Sequence, residues 1–216
     1  MRIERVAIIG LGLLGSSIGL ALRERAPGIA TTGFDANPNV RAKAEELGLV
    51  GAVCESPAEA VREADLVVLC VPVGAMSEAA AAIAEALPER AIVSDVGSSK
   101  QSVARALAEA LPGRCVIPAH PVAGTEESGP EAGFATLFVG RWCILTPPED
   151  ADSEALEALS DFWAGLGARV EVMDAGHPDL VLAVTSQWKS ALIQTLTWSP
   201  ITFHQQFGNK GGGGQS

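Results

Sequence analysis

The sequence predicts an α/β protein built on a doubly wound, mostly parallel sheet, and three observations predict it. Short apolar runs alternate with longer helical stretches over most of the chain. A glycine-rich turn joins the first apolar run to the first helix. The run Asp65-Leu66-Val67-Val68-Leu69-Cys70-Val71 is almost wholly apolar, as strands are when helices cover both faces of a parallel sheet. Right-handed crossovers between such strands distribute the helices over both faces.

Taken in order, Arg5-Val6-Ala7-Ile8-Ile9 reads as a buried strand and 13–24 as a helix. A second strand is expected over 30–34 and a second helix over 38–47, where Pro38 suits the first turn. The strand over 65–71 is followed by an Ala-rich helix over 74–86, a strand over 91–95 and a helix over 99–110. Strands at 115–118 and 142–145 come next. A helix over 153–166, capped by Asp152 or Ser153, and a strand over 169–173 complete the pattern. The domain assignment is a nucleotide-binding unit over 1–174 and a remnant of a second, helical unit over 175–216, ending in the Gly-rich stretch Gly211-Gly212-Gly213-Gly214.

Composition narrows the function classes. With 48% hydrophobic and 19% charged residues, the 216-residue chain can bury a sizeable core. It has no tyrosine and few other aromatics, so no platform for stacking bases is evident. A net charge of -11 repels phosphate backbones and anionic membranes, which argues against both as partners. Cys54, Cys70, Cys115 and Cys143 form no C-x-x-C pair, and the three histidines are dispersed. No metal site is expected, and the thiols are read as reduced and structural. The apolar N-terminal stretch is broken by glycines and closed by Arg23-Glu24-Arg25. It is therefore read as strand and helix rather than as a signal peptide. The expected location is the cytoplasm.

Gly10-Leu11-Gly12-Leu13-Leu14-Gly15 matches G-x-G-x-x-G between a strand and a helix. Gly10 makes the tight turn, Gly12 admits a pyrophosphate to the backbone, and Gly15 lets the helix pack closely. The helix N-terminus supplies donors and the positive end of its dipole. Asp35 ends the second strand 20 residues after Gly15, where a ribose-binding carboxylate belongs. Together they predict a Rossmann-type fold binding a nicotinamide dinucleotide. A carboxylate at Asp35 repels a 2′-phosphate, and Arg41 lies a turn or more into the next helix, so NAD is expected over NADP.

Further candidates sit where strands end. Val71 and Pro72 follow the third apolar strand and are assigned to the cofactor, although a plain strand terminator reads the same way. Asp95-Val96-Gly97-Ser98-Ser99-Lys100 joins a strand end to a helix start; one serine suits the N-cap and the other can face the cleft. Ala119-His120-Pro121-Val122-Ala123-Gly124-Thr125-Glu126 is a polar, glycine-bearing loop after an apolar strand. A histidine after a strand of the cofactor sheet is a candidate general base, with a structural histidine as the alternative.

This ordered set resembles the prephenate/arogenate (cyclohexadienyl) dehydrogenases of tyrosine biosynthesis. The resemblance continues through Leu137-Phe138, Leu145-Thr146-Pro147, Leu166-Gly167-Ala168 and Leu182-Ala183-Val184-Thr185-Ser186, and so covers roughly residues 5 to 186. It implies an oxidative decarboxylation, in which NAD⁺ takes a hydride from a cyclohexadienol ring that becomes aromatic as carbon dioxide leaves. His120 would then accept or polarise the ring-hydroxyl proton, and Ser98 would hydrogen-bond His120 or the substrate hydroxyl. Gly124, Thr125 and Glu126 would line the substrate side, Glu126 near the cleft entrance. The substrate would be the small molecule prephenate or arogenate.

After Ser186 the resemblance stops. Family members usually continue with His-Leu-Pro-His and a helical domain that completes the substrate site and the dimer, whereas this chain reads Gln187-Trp188-Lys189-Ser190. The expectation is a truncated or altered C-terminal domain, which makes the family's homodimer doubtful here and impairs turnover. Two readings stay open beside the family one: a β-hydroxyacid-type dehydrogenase, and a catalytically inactive NAD-binding remnant.

Overall fold

The structure is a computed structural model, and it describes residues 1–98, 100–124 and 126–173. Strand β1 (Arg5–Ile9) runs into helix α1 (Leu13–Arg25), followed by β2 (Ala30–Phe34) and α2 (Pro38–Glu46). Then come β3 (Ala52–Val53), α3 (Pro57–Val61), β4 (Leu66–Leu69), α4 (Met76–Ile83), β5 (Ile92–Asp95), α5 (Lys100–Ala110) and β6 (Cys115–Val116). Strands β7 (Ala119–Pro121) and β8 (Trp142–Leu145), helix α6 (Ser153–Gly165) and β9 (Arg169–Val172) complete the described elements. Asn37, Ser56 and Asp152 cap α2, α3 and α6, each through a side-chain oxygen accepting a backbone N–H.

Six strands form one parallel sheet in the order β3-β2-β1-β4-β5-β6. The order reverses direction between β1 and β4, and open α/β sheets bind ligands at the carboxyl ends of the strands at such a switch point. One face packs α3, α4 and α5 through Val61, Met76, Ile83, Val103 and Leu107. The other packs α1 and α6 through Ile18, Leu22, Leu159, Phe162 and Trp163. Trp163 meets Phe138 and Phe162 edge-on at centroid distances of 5.4 and 5.5 Å.

One expectation is corrected: residues 115–118 are not one strand. Strands β7, β8 and β9 form a separate three-stranded sheet, antiparallel between β7 and β8 and parallel between β8 and β9. The break falls at Pro118, which has no N–H to continue the ladder. Ile117 still donates to Val93 O at 2.9 Å, but the Pro118 carbonyl accepts from Thr146 N of the second sheet at 2.9 Å. The short β3 and α3 were not anticipated. The boundary at 174/175 and the segment 175–216 lie outside the described residues. Among the described residues no helix is long and apolar enough to cross a membrane.

Candidate functional site

The glycine turn is built by close contacts that leave one gap. Gly10 has φ +97°, and a Cβ there would lie 2.5 Å from the Cys70 carbonyl oxygen, so only glycine fits between β1 and β4. A Cβ on Gly15 would meet the Gly10 carbonyl, which locks the first turn of α1 onto the loop. Gly12 differs from both. Its φ is -75°, which any residue adopts, and no atom of the described residues lies within 4 Å of the place its Cβ would take. Nothing among the described residues requires glycine at this position. A pyrophosphate does, since it must approach the backbone where α1 begins with no acidic residue in its first turn. The residues therefore fit a dinucleotide.

Asp35 is brought onto this turn. Its Oδ2 accepts from Leu11 N and its Oδ1 from Asn37 N, both at 2.9 Å. The carboxylate is thereby fixed at the end of β2 while each oxygen keeps a lone pair for a ribose hydroxyl. Leu13 and Leu14, half-buried, open α1. Val71 packs against Gly10, its Cγ1 3.1 Å from that residue's Cβ position, and Pro72 is exposed beside it.

The expectation that Arg41 lies too far along α2 to matter is also corrected. Its Nη1 donates to the Asp35 carbonyl at 3.0 Å and its Nη2 to Glu55 Oε2 at 3.1 Å. The guanidinium stacks over Phe34, 5.4 Å from the ring centroid. Residue spacing alone underestimates the reach of an arginine folded back along its helix.

The second half of the site hangs on Asp95, which is fully buried at the end of β5. Oδ2 accepts from Gly97 N at 2.7 Å, turning the loop that bears Ser98, and Oδ1 accepts from Ala119 N at 3.3 Å. One step earlier, the buried Ser94 donates from Oγ to the Ile117 carbonyl at 2.8 Å. Two side chains thus carry the chain on where the backbone ladder ends, and deliver it as β7. His120 lies within β7, paired with Ile144, and not after a strand as expected. Its ring is half-buried, with Nδ1 inside the protein. Burial, and then the Asp95 charge, push the Cys70 thiol well above its ordinary value.

Ser98 is exposed at the head of its loop. Gly124 and Glu126 are exposed beyond β7, and Thr125 lies outside the described residues. The far end of that loop returns to α1: a Cβ on Gly133 would lie 2.5 Å from Ser16 Cβ, and Phe134 N donates to Ser17 Oγ at 3.1 Å. Lys43 on α2 reaches Glu131 at 3.6 Å. The loop therefore runs from the histidine strand to α1. Asp95 enters the sequence reading only as the start of the Ser98 loop, and Ser94 and this return contact do not enter it; Pro130 and Gly133 are the signals available for the last.

A family model described as the prephenate dehydrogenase nucleotide-binding domain matches residues 18–172. The match begins beyond Gly15, so the glycine turn stands on its own geometry. The cyclohexadienyl dehydrogenase of Zymomonas mobilis is 45% identical over 183 residues, 85% of this chain and 62% of that protein. The prephenate dehydrogenase of Bacillus subtilis is 30% identical over 195 residues, 89% of this chain and 53% of that protein. The chain thus spans between half and two thirds of the length of these curated relatives. A solved structure of the Aquifex aeolicus prephenate dehydrogenase in complex with hydroxyphenyl propionate and NAD⁺ matches with TM-score 0.77 and 32% identity, over 91% of this chain and 70% of that one. The Synechocystis arogenate dehydrogenase matches with TM-score 0.76 and 28% identity, over 92% and 71%.

Proposed function

The chain belongs to the prephenate dehydrogenase family, and from that premise we propose that it binds NAD⁺ and serves the oxidative decarboxylation of prephenate or arogenate on the way to tyrosine. The observation that carries the reading is the open space at Gly12 beside a carboxylate fixed at Asp35. When bound, NAD⁺ would supply the hydride acceptor. The chain's own residues bind, orient and handle one proton. Backbone N–H groups of the glycine turn and the start of α1 receive the pyrophosphate, and Asp35 accepts from the ribose. His120 takes the ring-hydroxyl proton, acting as the general base. Ser98 holds that hydroxyl or the imidazole, and Glu126 with Gly124 and Thr125 lines the substrate side. Asp95 keeps the Ser98 loop and the His120 strand in fixed relation, the kind of orientation on which such chemistry depends. The setting is cytoplasmic, with a small-molecule substrate and no nucleic-acid or membrane partner.

Two measurements test this. Fluorescence titration with NADH should show saturable binding, and its absence would overturn the cofactor assignment. Initial rates of NADH formation with prephenate and with arogenate then identify the substrate. Oxidation of β-hydroxyacids in place of both would overturn the reaction assigned.

A further inference from the structure

Resting on the cofactor reading above, we infer that Arg41 is a discriminating residue for the adenosine 2′ position: a cation already in place for a 2′-phosphate, whose charge Glu55 offsets. The guanidinium is bonded to the backbone carbonyl of the residue whose carboxylate faces the ribose. It is held there by stacking on Phe34, and its side chain is only 19% exposed. Glu55 is 87% exposed and meets a single Nη. A single contact to so exposed a carboxylate is weak and easily exchanged. A phosphate, by contrast, offers a guanidinium the geometry for paired hydrogen bonds.

Asp35, Glu55 and Arg41 meet at this corner, and Glu59, whose Oε2 accepts from Glu55 N at 3.0 Å, adds a carboxylate beside it. Carboxylates outnumber the guanidinium, and this negative corner admits a ribose hydroxyl and opposes a phosphate. NADP(H) is therefore excluded by the carboxylates and not by the lack of a cation. Neutralising Asp35, and then Glu55 as well, removes that negative excess step by step. Affinity for a 2′-phosphate should climb along that series and fall back when Arg41 is removed.

The test is binding alone, on the full chain, independent of turnover. NADH and NADPH are titrated by fluorescence, and adenosine 2′,5′-bisphosphate and 5′-AMP by calorimetry. The proteins are the wild type, Arg41→Gln, Glu55→Gln, Asp35→Ser, and Asp35→Ser combined with each of the other two. Arg41→Gln and Glu55→Gln leave the Leu11 and Asn37 contacts of Asp35 intact, so they report even if Asp35→Ser folds poorly. In the Asp35→Ser background, Arg41→Gln should weaken NADPH about tenfold more than NADH, the worth of one charge-assisted contact. Glu55→Gln should shift the NADPH-to-NADH ratio severalfold the other way, and both effects should shrink with added salt. If NADH binds but Arg41→Gln leaves the ratio unchanged in both backgrounds, the role given to Arg41 is wrong while the cofactor reading stands. If the wild type binds neither NADH nor 5′-AMP, both are wrong.

Discussion

Replacing Gly12 by alanine separates what the fold needs from what a ligand needs. At φ -75° with no atom of the described residues within 4 Å of the new methyl, the fold accepts Gly12→Ala without strain. Reduced freedom in the unfolded chain should then stabilise the variant by about 0.4–1 kcal/mol, or about 1–4 °C in Tm for a domain of this size. The same methyl stands where the pyrophosphate must approach the backbone. Loss of one charge-assisted hydrogen bond costs about 1.5–3 kcal/mol, so NADH should bind roughly ten- to a hundredfold more weakly. Gly15→Ala is the matched control: its methyl meets the Gly10 carbonyl and Ile8, and the crowding should cost about 1–3 kcal/mol or more. Thermal melts and NADH titration on both variants give the two numbers. A Gly12→Ala protein that binds NADH like the wild type would refute the assignment of that gap to the phosphates, and one that melts far lower would refute the geometry.

Asp35→Ala should weaken NADH by tenfold or more while NADPH binding holds or rises, because only NADPH is relieved of a repelling charge; equal losses in fluorescence titration would count against a ribose-facing carboxylate. His120→Asn should lower prephenate or arogenate oxidation by about 100- to 10,000-fold with NADH affinity nearly unchanged, and full activity would remove His120 from the mechanism. The thiols of Cys54, Cys70 and Cys115 are all raised above 9.0, first by burial and then by Glu59, Asp95 and Asp152 respectively. Folded chains then hold these protons longer than unfolded ones, so the stabilisation is complete below pH 9 and is lost as pH rises through the folded values. Urea midpoints measured from pH 8 upward should fall beyond pH 9, less steeply in Cys70→Ala; a flat profile would contradict the burial of these thiols.

The sequence made legible whatever is local. The strand-turn-helix at Gly10, Gly12 and Gly15 and the carboxylate at Asp35 follow from spacing, since their partners are adjacent strands of a parallel sheet. Strand β3 escaped notice because two residues carry no period, and α3 because five residues make barely more than one turn. The second sheet was hidden for a different reason. Cys143 pairs with Pro121 on one side and Val170 on the other, and an apolar run reads alike whichever sheet receives it. Asp95 and Ser94 read as strand residues, and only the structure reveals that their side chains replace the missing ladder at Pro118. Arg41 is a case of reach, where a long side chain undoes the distance its backbone implies.

The contact of Phe134 with Ser17 spans 117 residues, and this has a consequence during synthesis. Helix α1 shares its core with Leu137, Phe138, Leu159, Phe162 and Trp163. At about 5–20 residues per second, the ribosome delivers those partners on the order of ten seconds after α1 emerges. Throughout that interval α1 has β1 beneath it but an uncovered apolar side, a surface that chaperones and neighbouring nascent chains recognise. The glycine turn and Asp35 are thus made well before the core that holds α1 is complete. Substitutions at Gly133 or Phe138 should therefore lower the yield of soluble protein before they alter the affinity of whatever folds.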